Sequence, residues 1–253
     1  PILLDFGVVQ VRWYGLFFAL GLALTYFFLR HVFKREKLSL EHLDNLILYL
    51  FIGMLVGARL GHVFFYNASY YLNDPLSILK IWQGGLSSHG AALGVFFAYL
   101  IACKIHKLKF AKYADFLVLG MPIAAGFVRL GNFFNSEIIG IPTDGTWGVI
   151  FQQLGEDVPR HPSQIYEALL SFAIFGILYV AYKKFPTKKR PVLLLLFLYM
   201  GLYFASRFLV EFWKEHHTLP NEAFLSMGQW LSIIPVLIAG AYFAWLALKY
   251  NKK

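Results

Sequence analysis

Seven stretches of this chain are long and apolar enough to cross a bilayer as helices, and every other feature has to be arranged around them. A helix needs roughly 20 mostly apolar residues to span the hydrocarbon. Residues 12–32, 43–64, 87–105, 113–132, 164–182, 191–211 and 227–248 qualify, separated by charged residues, Pro or Gly. They lack the strict polar–apolar alternation of an outer-membrane barrel. Charged residues make up 15% of the chain, against about 25% in a soluble domain. The expected fold class is an all-α polytopic membrane protein with seven transmembrane helices. It would be a single transmembrane domain over 1–253, with a long outer loop or small head region over 133–163.

Lysine and arginine in the loops set the orientation of such a protein. Arg30, Lys34, Arg35 and Lys37 follow the first span, and Lys104, Lys107, Lys109 and Lys112 follow the third. Lys183, Lys184, Lys188, Lys189 and Arg190 follow the fifth, and Lys249, Lys252 and Lys253 end the chain. The opposite loops carry only Arg12, Lys80, Arg160 and Lys214. This alternation puts the N-terminus outside and the C-terminus in the cytoplasm. The net charge of +9 then reads as topology and headgroup attraction, not as a nucleic-acid footprint. No basic region precedes the first apolar stretch, so no cleavable signal peptide is expected. The single cysteine, Cys103, excludes an internal disulfide or a Cys-based metal site and reads as a small buried apolar residue.

Three arginines remain, Arg59, Arg129 and Arg207, all within spans or at their outer ends. An arginine at a helix centre costs about 2.5–3.5 kcal/mol on insertion scales. Each therefore needs a partner, an anionic ligand or a wet cavity. Arg129 and Asn132 share a helix face, and Asn135, Glu137 and Gly140 follow as the chain leaves the membrane. This set suits a phosphate with neighbouring hydroxyls, because arginine offers a planar donor fork; a helix-packing network would use the same residues. Tyr203, Arg207 and Glu211 fall on one stripe, where Glu211 either neutralises Arg207 or holds it for an incoming anion. Arg59, near His62, is either a ligand or an internal partner.

His89 lies near the outer mouth of the third span, after the chain-breaking Gly84 and Gly85 and beside the small-residue face of Gly90 and Gly94. A neutral histidine there suits proton acceptance, or simply packing. The run His161–Glu167 either serves a site or makes a good helix start, with Pro162 in the first turn and Glu167 favourable to the dipole. Arg12, Trp13 and Tyr14 fit an interfacial anchor. The loop 133–163 is long enough to carry function or structure of its own, including a short strand over 147–151. No recognised metal-ligand spacing is present.

Several segments in fixed order resemble the prolipoprotein diacylglyceryl transferase family, a bacterial inner-membrane family. They are RWYG at 12–15, GARLGHVFFYN at 57–67, GGLSSHG at 84–90, RLGNFFNSEIIG at 129–140, RHPSQIYE at 160–167, RFLVEF at 207–212 and LSMGQ at 225–229. The family usually has Gly where this chain has Val128, and often where it has Ser136. The resemblance implies transfer of the diacylglyceryl group of phosphatidylglycerol to the lipobox cysteine thiol in the signal peptide of a preprolipoprotein. A thioether would form and glycerol 1-phosphate would leave, at the periplasmic side of a multi-pass inner-membrane protein and with no cofactor or metal. It implies Arg129, Asn132, Glu137, Gly140, Arg59 and His161 as substrate-binding residues. His89, Arg207, Tyr14, Glu211 and Tyr203 would be catalytic, with His89 as base and Glu211 or a headgroup oxygen as alternatives. A transporter for an anionic solute is the main rival, since intramembrane arginines also mark substrate paths. The chain lacks the internal repeat usual in transporters. A non-enzymatic scaffold and a headgroup phosphotransferase are further rivals; the latter's Asp-rich metal motif is missing.

Overall fold

Hydrocarbon offers no hydrogen-bond partner to the backbone, so each apolar stretch must close its own bonds as a helix. The computed structural model describes residues 2–5, 7, 10–215 and 224–251; Lys252 and Lys253 of the basic tail lie outside them. A short antiparallel hairpin, β1 (Ile2–Asp5) and β2 (Gln10–Arg12), runs directly into α1 (Trp13–Arg35). Then come α2 (Leu40–Phe65), α3 (Ala68–Asn73), α4 (Ser88–Ile105), α5 (Phe110–Leu117) and α6 (Met121–Phe134). The outer loop contains β3 (Val149–Ile150) and β4 (Pro159–Arg160), paired antiparallel. The chain ends with α7 (Ser163–Lys184), α8 (Leu194–Val210) and α9 (Met227–Tyr250).

Six helices, α1, α2, α4, α7, α8 and α9, are long and apolar enough to cross a membrane, α8 counting with the 3-10 turn that extends it to Trp213. The fourth apolar stretch differs from the single helix expected over 113–132: α5 and α6 meet at a bend of 41°. Pro122 explains the break, because it stands in the first turn of α6 and has no N–H to continue α5. Gly120 precedes it, and its carbonyl, which already accepts from the Ile123 and Ala124 N–H groups, also accepts a hydrogen bond from Thr25 Oγ1 of α1 at 3.2 Å. Basic residues gather in the last turns of α1, α4, α7 and α9, where the helix dipole favours them.

Internal contacts divide the chain into two units, one from residues 1–29 and 114–253 and the other from residues 30–113. In the second, α2 and α4 meet backbone to backbone. Gly53, Gly57 and Gly61 of α2 face Gly94 and Gly90 of α4, and a Cβ on Gly94 would stand 2.8 Å from the Gly57 Cα. This is the small-residue face expected at Gly90 and Gly94, matched by one on the partner helix. In the first unit α6, α7, α8 and α9 pack in succession. There α1 contacts α6 through Trp13 on Phe134 (ring centroids 5.0 Å apart), and Phe28 meets Phe175 of α7 edge-on at 5.0 Å.

The glycine seam gives the first prediction. Gly94→Leu should destabilise the protein by about 3 kcal/mol or more, at the top of the overpacking range, since backbone rather than a side chain must move. Gly176→Ala, with open space at its Cβ, should be neutral or stabilising by up to about 1 kcal/mol. Thermal melts in detergent followed by size-exclusion chromatography compare the two. Equal melting of Gly94→Leu and the parent contradicts the close seam.

Candidate active site

Arg129 and Asn132, one turn apart on α6, meet in the first unit: Arg129 Nη1 donates to Asn132 Oδ1 at 3.3 Å. Beyond Phe134 the chain reverses through Ser136 (φ 54°) and Ile138 (φ 57°), both in the left-handed region. The reversal returns Glu137 to the helix end, where its carboxylate accepts from Asn132 Nδ2 (3.0 Å) and Asn135 Nδ2 (2.6 Å). Tyr14 of α1 lies against Gly131, where an added Cβ would be 3.1 Å from its ring. The local cluster read from the sequence around Arg129, Asn132 and Glu137 is therefore formed. Glycine adopts the backbone of residue 136 without steric cost, whereas serine pays for it.

The start of α7 does more than begin a helix. The fully buried Ser163 and Gln164 donate to the carbonyls of Ile138 (2.8 Å) and Glu137 (2.7 Å), fixing the reversal. Glu167, one turn further on, is not spent on the helix dipole. Its Oε2 is 2.9 Å from Arg129 Nε and its Oε1 is 2.7 Å from Lys214 Nζ. Lys214 also approaches Glu211 Oε2 at 3.4 Å, and Glu211 Oε1 accepts from Ser226 Oγ at 3.0 Å. Arg129, Glu167, Lys214 and Glu211 are each at most 15% exposed. Removing one partner from so buried a pair costs about 3–5 kcal/mol.

Glu211 therefore belongs to Lys214, not to Arg207 as the stripe of fours allowed. The Arg207 guanidinium makes no hydrogen bond or ion pair among the described residues. It lines a small cavity with Arg129, Glu167, Tyr203, Ser206 and Ser171, whose volume of ≈ 10 Å³ is about that of one water. A phosphate enters only when these side chains part. Arg129 keeps Nη2 without a hydrogen bond among the described residues. Two guanidinium groups and one carboxylate thus share one enclosed space.

The outer loop is stitched to the end of α8. Ile141 N–H donates to the Trp213 carbonyl at 3.0 Å, and Gly140 pairs with Lys214 as a β-bridge. A Cβ on Gly140 would stand 2.6 Å from the Trp213 carbonyl oxygen, so no larger residue fits. Arg160 holds the loop through Glu156 (2.7 Å), Glu215 (3.2 Å) and the Gly140 carbonyl (3.3 Å). Burial alone would lower its pKa, but the Glu156 hydrogen bond and the Glu215 charge outweigh it and raise the pKa. His161 Nδ1 lies 3.0 Å from the Tyr166 hydroxyl, with Trp147 edge-on to its ring at 4.8 Å. The strand expected over 147–151 is present in short form as β3.

Arg59 and His89 belong to the second unit. Arg59 is 4% exposed and makes no ion pair among the described residues. Its donors go to the carbonyls of Ile78 (2.8 Å), Ser77 (2.5 Å), Gly84 (2.6 Å), Gly85 (3.1 Å) and Lys80 (3.4 Å), with the Tyr71 ring 5.0 Å away. Gly84 and Gly85, which supply two of these carbonyls, are both at positive φ. Neither reading from the sequence, ligand or ion-pair partner, describes this cage. His89 is exposed in the first turn of α4 and makes no hydrogen bond among the described residues.

Sequence reasoning missed the central roles of Glu167 and Lys214. A signal existed: three intramembrane arginines need carboxylates, and the apolar spans offer few. Nothing local to either residue shows which cation each acid takes.

A family model described as prolipoprotein diacylglyceryl transferase matches residues 1–245. A protein of Tolumonas auensis named phosphatidylglycerol–prolipoprotein diacylglyceryl transferase is 43% identical, covering 98% of this chain and 96% of its own. Relatives of the same name in Chloroherpeton thalassium and Nitrosomonas europaea are 42% and 38% identical. These cover 98% and 100% of this chain, and 92% and 91% of their own.

Two substitutions test the local geometry. Arg59→Lys keeps the charge but loses the fork that reaches several carbonyls; each lost hydrogen bond costs about 1 kcal/mol. Limited proteolysis should then cut residues 77–85 faster, and an unchanged rate contradicts the cage. Ser136→Gly should raise stability by up to about 1 kcal/mol, read as a higher melting midpoint.

Proposed function

Because the chain belongs to the prolipoprotein diacylglyceryl transferase family, we propose that the Arg129–Arg207 cavity is where it moves the diacylglyceryl group of phosphatidylglycerol onto a prolipoprotein. The protein is a lipid-to-protein transferase and a multi-pass membrane protein. The acceptor is the lipobox cysteine thiol of the preprolipoprotein signal peptide. The membrane is the bacterial inner membrane, with the site toward the periplasm, where the outer ends of α6 and α8 meet the outer loop. The observation that carries the reading is the surplus of positive charge in that enclosed space, with Arg207 lacking any carboxylate among the described residues.

The chemistry explains the surplus. The cysteine loses its proton, because the thiolate is the nucleophile. Its sulfur attacks the glyceryl carbon that bears the phosphate, the C–S bond forms and the C–O bond breaks. The electron pair leaves on glycerol 1-phosphate, so a phosphodiester of charge −1 becomes a monoester approaching −2. Fixed cations around the phosphate stabilise that added charge more in the transition state than in the ground state. Arg129 offers Nη2, and Arg207 its whole guanidinium.

Asn132, Glu137 and Tyr14 order the headgroup beside Arg129, and Tyr203 shapes the other wall with Ser206. The family resemblance gives the thiol proton to His89, whose exposed side chain makes no hydrogen bond among the described residues. Gly140 and His161 keep the outer loop against the site, and Arg59 holds residues 77–85. Glu211 acts through Lys214. The anion-transporter reading draws no support from the relatives, all named as transferases.

Incubation with phosphatidylglycerol and a lipobox peptide should release glycerol phosphate, and a Cys→Ser peptide should release none. Arg129→Ala and Arg207→Ala should each lower turnover by about 10²–10³-fold or more, the range for one oxyanion donor, while still inserting and folding. Parental turnover in either folded variant removes its arginine from the phosphate site.

A further inference from the structure

A guanidinium is useful to a phosphate only if its free edge points at it. Arg129 has five N–H donors, and the structure shows which are committed. Nη1 donates to Asn132 at 3.3 Å, and Nε stands 2.9 Å from Glu167 Oε2 as an ion pair without a hydrogen bond, so Nη2 is left for a ligand. Glu167 itself is gripped from the other side by Lys214 at 2.7 Å. Lys214 is fixed in turn by the Gly140 bridge and by Glu211. The carboxylate between Arg129 and Lys214 is thus part of a buried chain that runs from the end of α8, through α7, to α6.

We infer that Glu167 is the positioning residue for Arg129, and that Lys214 is the counter-cation that lets it orient the guanidinium without cancelling its charge. Arg129, Glu167, Lys214 and Glu211 carry two positive and two negative charges. Their sum is neutral, which leaves Arg207 as the surplus cation in the cavity. Were Lys214 absent, Glu167 would neutralise Arg129 alone, and the next carboxylate, Glu211, would stand uncompensated. Were Glu167 absent, Lys214 and Arg129 would face each other without the acid between them, and the guanidinium would lose the contact that fixes its Nε edge. Glu167 acts through Arg129 and takes no part in bond making.

This inference rests on the transferase reading, and its test separates the two. Steady-state kinetics in mixed micelles are measured with phosphatidylglycerol and a lipobox peptide varied in turn. The proteins are the parent, Glu167→Gln, Lys214→Met and the charge-neutral pair Glu167→Gln/Lys214→Met. Glu167→Gln is also placed in an Arg129→Lys background. Glu167→Gln should lower kcat/KM for phosphatidylglycerol at least tenfold and leave KM for the peptide within twofold. The neutral pair should recover at least threefold over Glu167→Gln, because it returns the group of Arg129, residue 167, residue 214 and Glu211 from a net charge of +1 to zero. On Arg129→Lys, Glu167→Gln should change kcat/KM less than twofold, as coupled residues do in a double-mutant cycle. If Arg129→Lys has no measurable turnover, the same cycle is read on the Kd for phosphatidylglycerol in vesicles.

An undiminished effect of Glu167→Gln in the Arg129→Lys background overturns the inference. So does an equal loss toward both substrates, or failure of both Glu167→Gln and the neutral pair to fold, which would make the residue purely structural. A parent protein that releases no glycerol phosphate overturns the transferase reading instead.

Discussion

The contact on which the first unit depends is the carboxylate of Glu167, held between Arg129 at 2.9 Å and Lys214 at 2.7 Å. Charges in a bilayer-spanning bundle are costly unless paired or wet. Under the proposed transfer the chain must nevertheless keep cations there to meet a phosphate. One carboxylate shared between two cations meets both demands. It compensates burial for each and still leaves positive charge over, because Arg207 nearby has no acid of its own among the described residues.

The three intramembrane arginines show three ways of meeting the same cost. Arg59 gives its donors to backbone carbonyls between Ser77 and Gly85, two of them from glycines, which ties residues 77–85 together. Arg129 is half committed, with one edge on Glu167 and Asn132. Arg207 has no side-chain partner among the described residues and lines a space of only ≈ 10 Å³. A cavity this small holds about one water and keeps bulk water out. Water exclusion also strengthens every electrostatic contact inside.

Glycine does two separate jobs here. Along α2 and α4 it removes side chains so that helices approach backbone to backbone, the contact available in lipid where apolar burial drives nothing. At Gly140 it lets the outer loop cross the Trp213 carbonyl. At that second crossing Gly140 bridges to Lys214, whose ammonium meets Glu167.

What the sequence determined by itself was whatever short-range physics dictates. Twenty apolar residues in water-free surroundings leave a helix as their solution, so all seven apolar stretches are helical, including the one that Pro122 bends. Arg129 and Asn132 meet because a helix places i and i+3 together, and Glu137 follows within a few residues. The tertiary structure alone decided which acid each buried cation takes. Glu167 and Lys214 are 47 residues apart, and Glu211 looked equally well placed for Arg207. The choice falls to loop 139–160, which stitches itself to the end of α8 and turns Lys214 inward. Pair formation over such separations depends on where the backbone puts the charges, and no local pattern of residue types carries that information.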